Sequence, residues 1–251
     1  MLCEVNKHER DQYIRFQEEG HIYTLTINGI QHPVSVTTLI SQYHAHFDAN
    51  KCIQKMKVSK NWCYSEYYGM TDEEIKDKWE KNRDSAAKNG THMHQTIEDW
   101  INGLKVENES DEFKMFLSFW QDFQKKYPTF KPYRLEWCVY DESFRYGKGL
   151  CGSIDCVISD DQGRIMIFDW KRSKEIKTVN KYEKMLPPFD HMDDTNLSHY
   201  QLQLNIYRHI LIHKYHLNVV FMMLVVLHPN QTGYHTIKVN PIDLTMIWDT
   251  L

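Results

Sequence analysis

The stretch that decides the fold is "CGSIDCVISDDQGRIMIFDWKRS", residues 151–173. Two apolar, β-rich runs flank a glycine-containing turn, and each carries an aspartate where a buried strand ordinarily carries an aliphatic side chain. Asp161-Gln162-Gly163 reads as a three-residue hairpin loop, with Gly163 supplying the positive φ of a type I turn plus bulge. In that register Asp160 faces Arg164, and counting outward along both strands brings Asp155 opposite Asp169. Their Cβ atoms would then stand about 4.5–5.5 Å apart on one face. Lys171, two residues beyond Asp169, shares that face and lies opposite Ser153.

Two carboxylates at that range repel, and away from water one of them must take a proton. A divalent cation between them removes the conflict, and hard oxygen ligands favour Mg²⁺ or Mn²⁺. Lys171 beside them would orient or activate a water, or offset charge developing on a phosphate. The hairpin alone also admits a plainer reading: strand-end aspartates, with Lys171 in an ordinary ion pair. A two-residue turn at Gln162-Gly163 would shift the register and undo the pairing.

Outward from the hairpin, "YRLEWCVYD" (133–141), residues 150–159, 164–172, 219–228 and 234–240 read as strands. "HIYTLTINGIQHPVSV" (21–36) reads as a β-hairpin about Asn28-Gly29. A short helix is expected from Thr37 or Thr38 to about Tyr43, then helices over 49–60 and 72–88. Gly90-Thr91 should punctuate before another helix through Asn102, on which Met93, Ile97, Trp100 and Ile101 form one apolar stripe. Further helices are expected over 110–126 and 197–215, with a final one beginning at Pro241. The order predicts one α/β domain with a central mixed sheet covered by helices.

At 251 residues, 41% hydrophobic and 25% charged, the composition is that of an ordinary soluble domain. A net charge of −4 argues against a protein that coats nucleic acid nonspecifically. Positive charge is nevertheless concentrated. "KCIQKMKVSK" (51–60) holds four lysines and no acid, and "KRSKEIKTVNKYEK" (171–184) holds six basic and two acidic residues. Taken alone, such runs are solvated faces. The longest apolar run, "VVFMMLVVL" (219–227), is too short for a membrane helix, and the polar N-terminus shows no signal or transit peptide. Six scattered cysteines without a CxxC pair suggest a reduced, soluble, intracellular protein with no membrane partner.

"GSID" (152–155) followed by "IFDWK" (167–171) resembles the PD-(D/E)XK nuclease superfamily, with Ile154 standing where that pattern has proline. Two further segments resemble its RecB-like exonuclease branch. "GTHMHQTIE" (90–98) is similar to a G-x-x-x-H helix, and "YQLQLNIYRHIL" (200–211) to a Q-x-x-x-Y helix. "HPVSVTTLI" (32–40) resembles an N-terminal "SVT" element of phage, viral and mitochondrial genome maintenance exonucleases. Each element is weak alone; the four in this order carry the resemblance.

The resemblance implies a single nuclease domain over 1–251: an N-terminal hairpin and helices (1–89), then a restriction-endonuclease-like core (90–251) with a central mixed β-sheet flanked by helices. It implies Asp155, Asp169 and Lys171 as catalytic residues. The Mg²⁺ or Mn²⁺ ligands would be His94, Asp155, Asp169 and the Trp170 carbonyl. Glu136 is a further candidate ligand, and equally a strand-surface glutamate. Gln203, Tyr207, Tyr200, Arg172 and Lys174 would meet DNA, the 51–60 and 171–184 runs forming a track for its backbone. His94 and Glu98 share a helix face, and Gly90 would let that helix approach the sheet. No cysteine follows Cys156, so no iron–sulfur cluster is expected.

The implied activity is metal-dependent phosphodiester hydrolysis, foremost an exonuclease on single-stranded DNA or DNA ends in replication, repair or recombination. A structure-selective or restriction-like endonuclease is the alternative. Outside that class stand a catalytically inactive nucleic-acid-binding module and a zinc hydrolase using His92, His94 and "HMDD" (191–194). Asp155, Asp169, Lys171 and His94 are all present, which disfavours the inactive module, and no H-E-x-x-H spacing supports the zinc reading.

Overall fold

The computed structural model describes residues 1–30 and 32–248. In chain order the elements are α1 (Leu2–Val5), β1 (Ile14–Gln17), β2 (Ile22–Leu25), β3 (Val34–Ser35), α2 (Val36–Ser41), α3 (Ala49–Lys57), α4 (Asp72–Ile101) and α5 (Asp111–Lys126). There follow β4 (Lys131–Asp141), α6 (Phe144–Gly147), β5 (Leu150–Ser159), β6 (Arg164–Lys171), α7 (Asn196–Lys214), β7 (Asn218–Val226), β8 (His235–Val239) and α8 (Thr245–Trp248). The chain is α/β: a mixed sheet flanked by helices, with an N-terminal hairpin.

The sheet runs β3-β5-β6-β7-β8, with β4 on the other edge of β5. β3–β5 and β6–β7 are parallel; β4–β5, β5–β6 and β7–β8 are antiparallel. One face packs on α2 and α7 through Val157, Ile167, Leu224, Leu204 and Ile210. The other carries Phe168, Trp170 and Val225 against α4 and α5. Here the aromatic surplus is used: Phe116, Phe119 and Phe123 of α5 meet Trp170 and Phe168 edge-on, with centroids 5.0–5.9 Å apart.

The hairpin register matches the sequence reading, from Ser159↔Ile165 to Cys156↔Phe168. Other expectations need correction. The N-terminal hairpin lies one strand earlier, with β1 pairing β2 from Ile14↔Leu25 to Gln17↔Ile22. Asn28 and Gly29 do adopt positive φ (54° and 64°). The segment beyond them joins the main sheet instead, Val34 pairing in parallel with Leu150. Ser35, not Thr37 or Thr38, caps α2, its Oγ accepting from Thr38 N at 3.1 Å.

The expected break at Gly90-Thr91 is absent, and α4 runs unbroken for 30 residues, across the expected 89/90 division. A reciprocal Thr71–Glu74 capping box and three acidic residues in the first turn start it firmly. One interior glycine costs only about 1 kcal/mol. Gly90 has open space around it, so it serves no close approach to the sheet. The final helix is a single turn at Thr245–Trp248, with 241–244 non-helical. Among the described residues, no helix is long and apolar enough to cross a membrane.

Buried Asp141 staples the far end of the sheet. It accepts from Ser143 N and Oγ (both 2.8 Å) and Trp248 Nε1 (2.9 Å), with the Lys214 ammonium 3.0 Å away. Burial would raise its carboxyl, but Trp248, Ser143 and Lys214 outweigh burial and hold it below the ordinary aspartate value. A carboxyl depressed by folding stabilises above its unfolded pKa of about 3.9 and loses that contribution as pH falls through the folded one. Asp141→Asn is therefore expected to cost about 1.5–3 kcal/mol at neutral pH. Urea denaturation should show the deficit shrinking as pH is lowered toward 3.

Candidate metal and catalytic site

Strand β5 has one continuous edge and one divided edge. β4 follows it from Leu150 to Ser159. On the opposite side β3 takes Leu150 and Cys151, whereas β6 takes only Cys156 to Ser159. Residues 152–155 therefore face a gap where β5 and β6 have parted. Asp155 lies at its mouth, 8% exposed, and its Oδ2 accepts from Trp170 N at 2.7 Å. A side-chain carboxylate thus takes the backbone donor that a continuing ladder would have used. The Asp155–Asp169 pair sits just beyond the last paired residues, a correction to direct ladder pairing.

The strands also lose their pleat here. Ile154 and Trp137 face the α7 side, while Cys156 and Leu135 face the α5 side. Between them Glu136 holds φ at 40°, a left-handed conformation that strains a non-glycine strand residue by about 1–3 kcal/mol. That twist aims its carboxylate into the gap, where Oε2 accepts from Ser153 Oγ (3.1 Å) and Oε1 lies 3.3 Å from His94 Nδ1. Glu136 is thus part of the cluster and not a plain surface residue.

His94 enters from α4, one residue past the buried Met93. Its Nε2 is 3.0 Å from the Trp170 carbonyl, and its Nδ1 faces both Glu136 and Asp155 Oδ2, the latter at 3.7 Å. Burial would lower this imidazole, but Asp155, Glu136 and Asp169 outweigh it and push it up to about 9. Burial and the Asp169 charge raise the Asp155 carboxyl, with His94 opposing. The cluster holds protons where a cation would otherwise compensate the charge. Ligand atoms of His94, Glu136 and Asp155 all lie within 4.8 Å of one another. One imidazole and two carboxylates suit a hard divalent cation, and Nε2 held by the Trp170 carbonyl leaves Nδ1 to ligate. In this geometry the Trp170 carbonyl orients His94.

Asp169 adjoins this triad. It is 2% exposed, and its Oδ2 is buried without an aligned hydrogen-bond donor although the Lys171 ammonium lies 2.7 Å away. The Asp169 charge acts on both Asp155 and His94, so it lies close enough to add to the field that a cation would meet. Burial would lower Lys171, but Asp169 and Asp155 raise it, so it stays charged. The ammonium also donates to Gln203 Oε1 (3.2 Å) and sits 4.5 Å from the centre of the Tyr200 ring. Gln203 Nε2 in turn reaches Tyr207 OH at 3.4 Å. Trp170, between Asp169 and Lys171, points its ring into the opposite core and anchors the strand end.

Two residues expected to meet DNA are engaged within the chain in this arrangement. Tyr207 is 3% exposed and packs on Gly152, where an added Cβ would stand 2.8 Å from its ring and hydroxyl. It supports Gln203 from beneath. Arg172 alternates to the other side of the strand, its Nε donating to Glu112 at 2.6 Å. Lys174 is exposed, as are Lys51, Lys55, Lys57 and Lys60. His92 lies off the site, near Asn108.

A groove of about 670 Å³ opens onto His94, Glu98, Glu136 and Ser153, walled opposite by Phe16 and Tyr23 of the β1–β2 hairpin. The sequence reading missed this wall. Its signal was the apolar alternation in "IRF" and "IYTL" about Gly20.

No protein-family description matches the chain, and no curated protein matches it in sequence. Among solved structures, one described as the crystal structure of SSO0001 aligns over 98% of this chain and 81% of that one, at 14% identity and a TM-score of 0.38.

Two outcomes test the site. Saturating Mg²⁺ or Mn²⁺, at about 100 times its Kd, should stabilise the chain by about 2.7 kcal/mol in thermal denaturation. Asp155→Asn/Asp169→Asn should abolish that response. Gly152→Ala should destabilise by about 1–3 kcal/mol through overpacking against Tyr207, read as a lower urea midpoint.

Proposed function

We propose that the chain is a Mg²⁺- or Mn²⁺-dependent nuclease of the PD-(D/E)XK superfamily, in its RecB-like branch, hydrolysing DNA from single-stranded or free ends. The observation that carries this reading is the gap beside β5, where His94, Glu136 and Asp155 converge next to an Asp169–Lys171 pair. The order of those residues along the chain matches the motifs that suggested the family.

His94 Nδ1, Glu136 and Asp155, with Asp169 beside them, would hold the cation, which when bound polarises a phosphoryl oxygen and lowers the pKa of water. The chain's own residues do the rest. Asp155 and His94 must give up their protons to bind it, so cation affinity rises with pH. Lys171, fixed by Asp169, Gln203 and Tyr200, presents an ammonium donor that orients the attacking water and offsets charge on the phosphate. Water adds to phosphorus and releases a proton to solvent, the phosphorus–oxygen bond to the departing sugar breaks, and that oxygen takes up a proton from solvent. The exposed lysines of α3 and the segment after β6 supply the electrostatic attraction for the strand.

Lys171→Ala and Asp169→Ala are each expected to lower Mn²⁺-dependent cleavage of end-labelled DNA by about 10²–10³-fold or more, with unchanged circular dichroism. Linear single strands should be degraded while covalently closed circles survive. Nicked circles would select the endonuclease reading, and cleavage surviving in both variants would remove the site assignment.

A further inference from the structure

A second group of potential ligands lies where α2, the 180–195 segment and α7 meet, and its members are His44, Asp194 and His199. The sequence reading grouped Asp194 with His92 and His94. His92 and His94 both belong to α4, and neither joins this group. Here the partners come from three separate places in the chain. His44 follows the end of α2, Asp194 directly precedes the α7 cap Thr195, and His199 sits in the first turn of α7.

The backbone around each is fixed. Tyr43, adjacent to His44, is buried against Phe189, and its carbonyl accepts from Leu186 N at 2.7 Å. The Asp194 carbonyl accepts from Asn180 Nδ2 at 2.8 Å. The preceding carbonyl, that of Asp193, accepts from Ser198 Oγ at 2.7 Å. The side chains converge on that frame. The two imidazoles stack with centroids 4.4 Å apart and planes inclined by 22°. His199 Nε2 lies 2.7 Å from Asp194 Oδ1. His44 Nδ1 is 3.2 Å from the Ala45 carbonyl, which leaves Nε2 with the lone pair. One ligand atom from each residue lies within 4.8 Å of the other two. Ligands of tetrahedral zinc stand about 3.3–3.5 Å apart, so binding requires the stacked rings to turn until their in-plane lone pairs converge and the His199–Asp194 contact to open around the ion.

The donor chemistry separates this group from the one beside β5. Two of the three donors there are carboxylates, which favours a hard cation; two of the three here are imidazoles, which favours a borderline one. Two histidines and one carboxylate, partly exposed, form a three-ligand set with a fourth position left to water.

We propose that His44, Asp194 and His199 form a Zn²⁺-class transition-metal site, separate from the cluster beside β5, that pins the end of α2 to the first turn of α7. The next residue along α7 is Tyr200, whose ring faces Lys171, so the ion would also fix the start of the helix that carries Gln203. The site rests on this donor set alone and stands whether or not the chain cuts DNA.

The test uses Co²⁺ and Zn²⁺ with the intact chain. Asp155→Asn/Asp169→Asn should still bind one Co²⁺ with the intense visible bands of a tetrahedral site, displaced by Zn²⁺. His44→Gln and His199→Gln should each weaken that binding by more than about 100-fold with unchanged circular dichroism. As a readout independent of any variant, Co²⁺ should shift the ring protons of His44 and His199 in the wild-type NMR spectrum. Absence of tetrahedral bands, bands that survive both histidine substitutions, or paramagnetic shifts confined to His94 would each overturn the proposal.

Discussion

Everything chemical beside β5 depends on the separation of β5 from β6 after Cys156↔Phe168. A continuing antiparallel ladder would spend Trp170 N on a backbone carbonyl and close the gap. Because β5 turns toward β3, that donor is left over, and Asp155 takes it at 2.7 Å. The carboxylate is thereby immobilised at the point where the Trp170 carbonyl, on the same peptide strand, orients His94. A buried donor without a partner costs about 1–3 kcal/mol, so the parting of strands is tolerable only because a side chain answers it. Fold and site are coupled through that one hydrogen bond.

Much of this was legible in sequence because hairpin registers follow from turn chemistry. Gly163 fixed the loop, and the loop brought Asp155 and Asp169 to neighbouring positions without any tertiary information. The strand pattern of 133–240 was equally readable, since alternation and β-branched content agree there. What failed depended on competition between distant segments. Asn28-Gly29 has turn geometry, yet which strands pair around it is decided by the free edge of β5 over a hundred residues away. Gly90 looked like a break, but helix cooperativity carried α4 through it.

The role of Glu136 was beyond sequence for a different reason. Side-chain alternation assumes extended backbone, and a φ of 40° breaks that assumption at a single residue. The same step explains why Leu135 and Trp137, two apart, serve opposite cores. Gly152 carries the complementary lesson. Its importance lies in the missing Cβ that admits Tyr207, which sets Gln203, which meets Lys171. The motif was visible as a pattern, whereas its physical reason appears only once the helix is seen across the gap.

The charge balance follows from the same layout. Asp155, Asp169 and Glu136 crowd one end of the sheet, and among the described residues His94 and Lys171 are the cations that oppose them at close range. Pairing between Lys171 and Asp169 is firm because three partners hold the ammonium. His94 must answer two carboxylates with one charge, and that part of the cluster has the most to gain from a divalent ion. The arrangement divides labour by residue: Glu136 of β4, Asp155 of β5 and His94 of α4 form the group that a cation would neutralise, while Lys171 of β6, held by Asp169 and by Gln203 of α7, keeps a positive charge that it would not displace. The proposed nuclease chemistry calls on both halves, a group of cation ligands and a fixed ammonium, and they adjoin one another at the gap beside β5.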